Sequence, residues 1–293
     1  MPPIDTLELP RSFSDFRARM EKPGVLVIEF ARPEKLNALT VSGKRDLIEL
    51  CAQINMSPSI RVVIFTGAGR AFCAGDDIGG TADQRDNALA PDINHDYSTP
   101  SATYNYLRTL TQPLIQSVRD LDRVTIAAIN GAAVQLGLSI ALSCDFRVAA
   151  TGAKLGYGTL RFAMQPDEGG HYLLVQHVGL ARALEIILRN RFLDADEAMS
   201  KGLVNATSEP DKLMLAATAL AEELAEGPQV AMRMLKRALY RAADSNLVEA
   251  MEDIALRTSI TNFNCDTREG LEAFRSGRRP RYNQGLNDSD ADE

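Results

Sequence analysis

Arg70-Ala71-Phe72-Cys73-Ala74-Gly75-Asp76-Asp77-Ile78 and Asn130-Gly131-Ala132-Ala133-Val134-Gln135-Leu136-Gly137 are the two stretches that decide the fold. Each follows an apolar run rich in β-branched residues, 62–66 in one case and 125–129 in the other, so each is read as the exit from a buried strand. Each then enters a turn of small residues, where backbone N–H groups can be left free. Two such groups aimed at one carbonyl oxygen make an oxyanion hole. Donors fixed in advance stabilise charge that develops on that oxygen, and losing one costs roughly 10²–10³ in rate. That use requires the two stretches to meet in space.

Working outward, residues 24–31 (GVLVIEFA) read as a strand that Pro33 ends. Residues 41–56 carry Leu47, Ile48, Cys51 and Ile54 at helical spacing, and Pro58 stops that helix. Residues 60–66 form a buried strand. Gly, Asp, Asn, Pro and Ser dominate 79–101, which reads as a loop or lid. A helix over 104–120, interrupted near Pro113, precedes a strand over 124–130. Residues 136–143 are apolar on nearly all sides and predict a buried helix. Strands at 145–150 and 153–156 follow, then helices over 168–178, 180–190, 195–202, 210–226, 228–243 and 245–261. Strand–strand–helix units followed by consecutive helices give an α/β fold with a helical C-terminal region. The implied boundaries are an N-terminal extension over 1–22, an α/β core over 23–208, a helical region over 209–282 and an acidic flexible tail over 283–293.

The 293 residues, 45% of them hydrophobic, suffice for one large core. A formal net charge of −7 argues against nucleic-acid or anionic-membrane partners. The four cysteines are far apart with no CxxC pair, and with only three histidines no metal site is expected. They read as buried thiols of a reducing compartment. Residues 1–22 lack the apolar segment of a signal peptide, and no apolar run is long enough for a membrane span, so a cytoplasmic location is expected. Neither GxxxxGK[ST] nor a GxGxxG after a strand occurs, which removes support for nucleoside-triphosphate or dinucleotide binding.

Five short motifs stand in order: Arg32-Pro33-Glu34-Lys35-Leu36-Asn37-Ala38-Leu39, the two opening stretches, Cys144-Asp145, and Glu269-Gly270-Leu271-Glu272-Ala273-Phe274. On them, from about residue 24 to 282, the chain resembles the enoyl-CoA hydratase/isomerase, or crotonase, family. The resemblance implies a crotonase-like spiral of ββα units, C-terminal helices that build a homotrimer or homohexamer, and an acyl-CoA thioester substrate held as an enolate. CoA arrives as part of the substrate, and no other cofactor is implied. By position in the family pattern the two donors are the N–H groups of Ala74 and Leu136. CoA contacts fall to Arg32, Lys35, Asn37 and Ala38, and to Ala74, Gly75, Asp76, Asp77 and Ile78. The basic run Arg275, Arg278, Arg279 and Arg281 lies where the family's C-terminus approaches CoA.

The acid–base positions set this chain apart. Where hydratases of the family carry two glutamates, it has Ser139 and Thr159. A hydroxyl without an activating partner is a poor base near neutral pH. Asp167, in Gln165-Pro166-Asp167-Glu168-Gly169-Gly170-His171, falls where isomerase members carry an aspartate. One carboxylate can remove a proton from one carbon and return it to another, so Asp167 is the candidate shuttle; the alternative is a cap on the following helix. Glu168 could be the base instead, although a first-turn acid is usually exposed. His171 could pair with Asp167 or act on water. Double-bond isomerisation leads, with hydration, hydrolysis of a CoA thioester or β-diketone, and catalytically silent acyl-CoA binding as the alternatives.

Overall fold

The computed structural model describes residues 9, 11–77 and 99–284. Ile78, nearly all of the expected 79–101 loop, and residues 285–293 of the tail expected over 283–293 lie outside the described residues; Asn283, the expected start of that tail, is instead buried and accepts the Gln229 N–H at 3.1 Å. In chain order the elements are β1 (Arg11–Ser12), β2 (Phe16–Lys22), β3 (Val25–Phe30), α1 (Val41–Met56), β4 (Val62–Gly67), β5 (Ala71–Cys73), α2 (Pro100–Tyr106) and α3 (Gln112–Arg119). Then come β6 (Val124–Ile129), β7 (Ala132–Val134), α4 (Leu136–Ser143), β8 (Phe146–Ala150), β9 (Lys154–Gly156), α5 (Gly170–Val178) and α6 (Leu180–Leu188). The chain continues through β10 (Leu193–Asp194), α7 (Ala195–Ser200), β11 (Ala206–Ser208), α8 (Leu213–Ala225), α9 (Gln229–Ala242), α10 (Leu247–Asn262) and α11 (Cys265–Ser276).

Strands that read as unbroken apolar runs become the interior of a parallel sheet, where both faces are covered. β3, β4, β6, β8 and β11 pair in parallel within a seven-stranded sheet of order β1-β2-β3-β4-β6-β8-β11. Alternate residues go to opposite faces. Leu26, Ile28, Val63, Phe65, Ala127 and Ile129 face the main core with α1, α3 and α4, whereas Val25, Val27, Val62, Ile64 and Ile126 face α8. Ala217, Ala221 and Ala225 recur every four residues on α8 and let it lie close against the strands.

A second sheet, of order β10-β9-β7-β5, runs beside the first. Each large-sheet strand β4, β6 and β8 is followed by a short strand β5, β7 or β9 of this second sheet, and then by helix. That repeat is the expected crotonase-like spiral of ββα units with a helical C-terminal region.

Two expectations need correction. Residues 1–22 are not wholly an extension, since Phe16–Lys22 is a strand paired antiparallel with β3. Phe16 and Ala18 are fully buried between the exposed Arg17 and the partly exposed Arg19; the charges masked a period-two alternation. The break near Pro113 is a widened turn and not an interruption. Residues Leu107–Thr111 take π-type spacing, with the Gln112 N–H reaching Leu107 O, just before a proline that has no N–H to donate. Among the described residues no helix is long and apolar enough to cross a membrane.

Candidate active site

The two opening stretches do meet. β5 and β7 pair in parallel, with Ala71 opposite Ala132 and Cys73 opposite Ala133. Glycine makes the approach possible: a Cβ on Gly137 would strike the Cys73 carbonyl, and one on Gly131 the Arg70 carbonyl. Two asparagines fix the turn leading into β5. Asn37 Nδ2 donates to Ala68 O (2.9 Å) and Ala71 O (2.7 Å), while its Oδ1 accepts the Arg32 N–H (2.9 Å). Asn130 Nδ2 donates to Gly69 O (2.9 Å) and Ala71 O (3.0 Å), and its Oδ1 accepts the Gly67 N–H (3.1 Å).

The free donor on the first stretch is not where expected. The Ala74 N–H is already given to Leu36 O at 3.0 Å, and the Asp77 N–H to Leu39 O at 3.0 Å. An N–H held by a backbone carbonyl cannot also wait for a substrate oxygen, so Ala74 is withdrawn as a donor. The Asp76 N–H is bonded at 3.3 Å to the side-chain Oε1 of Gln135, an amide that can swing aside. Gln135 immediately precedes Leu136, so the Asp76 N–H is aimed at the start of α4.

Leu136 lies at the start of α4. As first residue of α4 its N–H is one that the helix itself leaves unpaired, and the helix dipole adds positive potential there. Its side chain is fully buried in the main core. Gln135 takes φ 50° and ψ −120°, a conformation suited to glycine.

Behind the first turn lies Lys44, 1% exposed, with Nζ 2.5 Å from Asp76 Oδ1 and donating to the Tyr106 hydroxyl at 2.8 Å. Burial acts to lower its pKa, but Asp76 and Tyr106 outweigh that and hold it above the ordinary lysine value.

The expected CoA contacts are mostly spent inside the protein. Arg32 donates to Ala38 O (2.9 Å) and Asp77 Oδ2 (2.8 Å), which removes the free guanidinium expected for a phosphate. The Asn37 side chain is buried in the bonds above, and Ala38 is buried with its carbonyl taken by Arg32. The Gly75 carbonyl accepts the Leu39 N–H. Lys35 is exposed. In the C-terminal basic run, Arg278 pairs with Glu269 (2.6 Å) and Arg279 with Glu226 (2.6 Å).

The carboxylates hold the largest departure from expectation. Asp167 is not a helix cap: α5 begins at Gly170, capped by Gly169 at φ 107° with no side-chain bond. Asp167 is half-buried, and its Oδ1 is buried without a hydrogen-bond partner among the described residues. Glu168, expected on an exposed first turn, is 1% exposed. Its Oε1 lies 2.7 Å from Ser139 Oγ, and its Oε2 accepts the Asp167 N–H at 2.8 Å. Burial pushes its carboxyl up to about 7, with Asp167 adding to the rise and the Ser139 bond opposing it.

The bond to Ser139 docks residues 167–168 on α4, one turn beyond Leu136. Because the helix starts two residues later than its apolar spacing suggests, Glu168 falls in a loop folded inward. Nothing in the spacing signals this. Thr159 is buried with its hydroxyl unpartnered among the described residues. His171 is exposed. Asp145 serves structure, its Oδ2 accepting the Thr125 N–H (2.8 Å) beside Lys236 (2.8 Å).

Comparison with known proteins gives a consistent result. The family model described as Enoyl-CoA hydratase/isomerase matches residues 20–285. The chain is 30% identical over 261 residues to the 1,2-epoxyphenylacetyl-CoA isomerase of Escherichia coli strain K12, covering 88% of this chain and 95% of that protein. It is 31% identical over 259 residues to the (E)-benzylidenesuccinyl-CoA hydratase of Thauera aromatica, covering 88% and 95%. The crystal structure of an enoyl-CoA hydratase from Bacillus anthracis superposes with a TM-score of 0.82 at 30% identity, covering 92% of this chain and 99% of that one.

Proposed function

The chain belongs to the enoyl-CoA hydratase/isomerase family, and from that premise we propose that it shifts the carbon–carbon double bond of an enoyl-CoA. The N–H groups of Asp76 and Leu136 receive the thioester oxygen once Gln135 swings away. Asp167 removes a proton from the carbon beside the thioester carbonyl. The electrons of that C–H bond spread into a dienolate whose charge rests on the bound oxygen. Asp167 then returns the proton two carbons further along, and the double bond has moved with no net gain or loss of atoms. These steps ask for no metal or redox cofactor, and CoA enters with the substrate.

One observation carries this proposal: the Ser139–Glu168 contact brings the Asp167–Glu168 pair to the helix that begins with the Leu136 donor. The Asp167 oxygen that is buried and has no hydrogen-bond partner among the described residues is the one placed to take a proton. Ser139 and Thr159 weigh against two-glutamate hydration, and the exposed His171 weighs against a hydrolase built on it.

The test is mass spectrometry of 2-enoyl- and 3-enoyl-CoA esters incubated with the protein in heavy water. Deuterium gain with a moved double bond and no added water is the expected result. Addition of one water would restore hydration, and release of free CoA would make the protein a hydrolase. No change in any ester despite measurable CoA binding would leave a silent acyl-CoA binder.

Assembly as a homotrimer or homohexamer belongs to the same proposal. Phe263 is 89% exposed and Phe274 86% exposed, and Leu247, Val248 and Leu256 of α10 are exposed with them, which is much apolar surface for an unpartnered region. Light scattering at micromolar concentration decides between a monomer and the oligomer. We place Lys35 near the CoA phosphates and the protein in the cytoplasm.

A further inference from the structure

Glu168 Oε1, Ser139 Oγ, the Tyr157 hydroxyl oxygen and the Gly170 carbonyl oxygen form a buried chain with successive distances of 2.7, 3.2 and 3.1 Å. Three oxygen–oxygen contacts within hydrogen-bond range need three protons. The Gly170 carbonyl brings none, and Ser139 and Tyr157 bring one each. The third has only one place to sit, on the Glu168 carboxyl. With that proton the chain runs in one direction, Glu168 to Ser139 to Tyr157 to Gly170, and every contact is a hydrogen bond. Without it, two oxygens face each other through lone pairs.

Among the described residues, none that faces Glu168 brings a positive charge to compensate an ionised carboxylate. The titratable groups that face it are Asp167 and Tyr157. α4 carries no charged residue. On α5, His171 is exposed and His177 is turned to Leu142 O at 2.9 Å. Gln112 of α3 donates to the Asp167 carbonyl at 3.2 Å, and its own oxygen accepts from the exposed Arg108 at 3.4 Å. The remaining Glu168 oxygen, Oε2, holds the Asp167 backbone at 2.8 Å.

We propose that Glu168 is a positioning residue that rests protonated and keeps the 167–168 loop docked on α4, and that its ionisation, which puts an uncompensated charge at a buried position and a lone-pair contact into the oxygen chain, displaces that loop and Asp167 with it. This deepens the proposed role of Asp167 and rests on it for the catalytic consequence, though not for the protonation itself. The raised carboxyl pKa agrees in direction. The sign follows directly: an acid whose folded pKa exceeds its unfolded value adds stability below the unfolded pKa of about 4.3, and loses it as pH rises through about 7.

Glu168→Gln is the decisive variant, because an amide N–H at the Oε1 position supplies the third proton permanently while its oxygen still accepts the Asp167 N–H. Thermal unfolding without substrate is measured from pH 4 to 8.5 for wild type, E168Q and E168L. The melting temperature of E168Q should gain on wild type as pH rises from about 4.3 to about 7, then run parallel to it. A constant difference across that range would overturn the protonated Glu168.

Turnover is followed in parallel. Wild-type kcat/KM should fall about tenfold per pH unit above about 7. E168Q should keep at pH 6 most of the turnover that E168L loses, without that falling limb. E168Q as impaired as E168L at pH 6 would mean that Glu168 works as an anion, and the proposal would fail. Full activity of Asp167→Asn alongside the expected melting shift would instead remove the role of Asp167 and leave the protonated Glu168 standing.

Discussion

The two sides of the site are built from different materials. The donor side, where β5 meets the start of α4, is backbone held in place by glycines that let chains touch and by Asn37 and Asn130. The carboxylate side is a loop whose position depends on side chains, chiefly the chain of oxygens from Glu168 to Gly170. Backbone that is packed on both faces cannot lose one function and keep the other. The donor side should therefore couple stability to activity, and the carboxylate side should separate them.

Gly137→Ala gives the largest effect, because its new methyl meets the Cys73 carbonyl rather than a yielding side chain. Overpacking costs typically about 1–3 kcal/mol, and a backbone clash belongs at or above the upper end. The urea midpoint and the turnover should drop together. Asp167→Asn should lower turnover by roughly 10²–10⁴ with a melting temperature close to wild type, and a matching loss of stability would erase the contrast. Asn37→Ala removes three hydrogen bonds from a buried position. It should cost about 1–3 kcal/mol in a denaturant titration and carry a loss of turnover with it.

His177, on the carboxylate side, gives the smallest effect at neutral pH. Burial pushes its pKa down to about 4, with Arg147 adding to the fall. It is neutral in both folded and unfolded states above about 6.5. The stability it contributes is present there and is lost as pH falls from about 6.5 toward 4. His177→Gln should flatten that acid limb of the melting curve and leave turnover at pH 7 nearly unchanged.

The same division governs what could be read from the sequence. Gly131 and Gly137 mark close backbone approach, and the apolar runs before them mark the strands, so the meeting of the two stretches was legible. The bounds of α1 and α4 were legible too, from Pro58 just after the first and the unbroken apolar run of the second. Which N–H stays free was not, because Leu36 O is brought to Ala74 only by the 310 turn over Pro33–Lys35. The burial of Glu168 was hidden for a related reason. A glutamate before a helix looks solvated until Ser139, 29 positions earlier, is seen to receive it. Arg32 misled in the opposite sense: its charge suggested a phosphate, yet Asp77, 45 positions away, had already claimed it.

Gln135 has one more consequence. In the proposed arrangement its amide oxygen sits on the Asp76 N–H that the thioester oxygen must reach. A neutral carbonyl oxygen arriving there trades one ordinary hydrogen bond for another and gains little. An oxygen bearing the charge of a dienolate forms the stronger bond and wins the exchange. Moving the side chain costs the same for either oxygen, so the advantage of the activated ester is the difference between the two bonds that the Asp76 N–H makes. An enzyme is accelerated by that difference and not by tight binding of what it starts from.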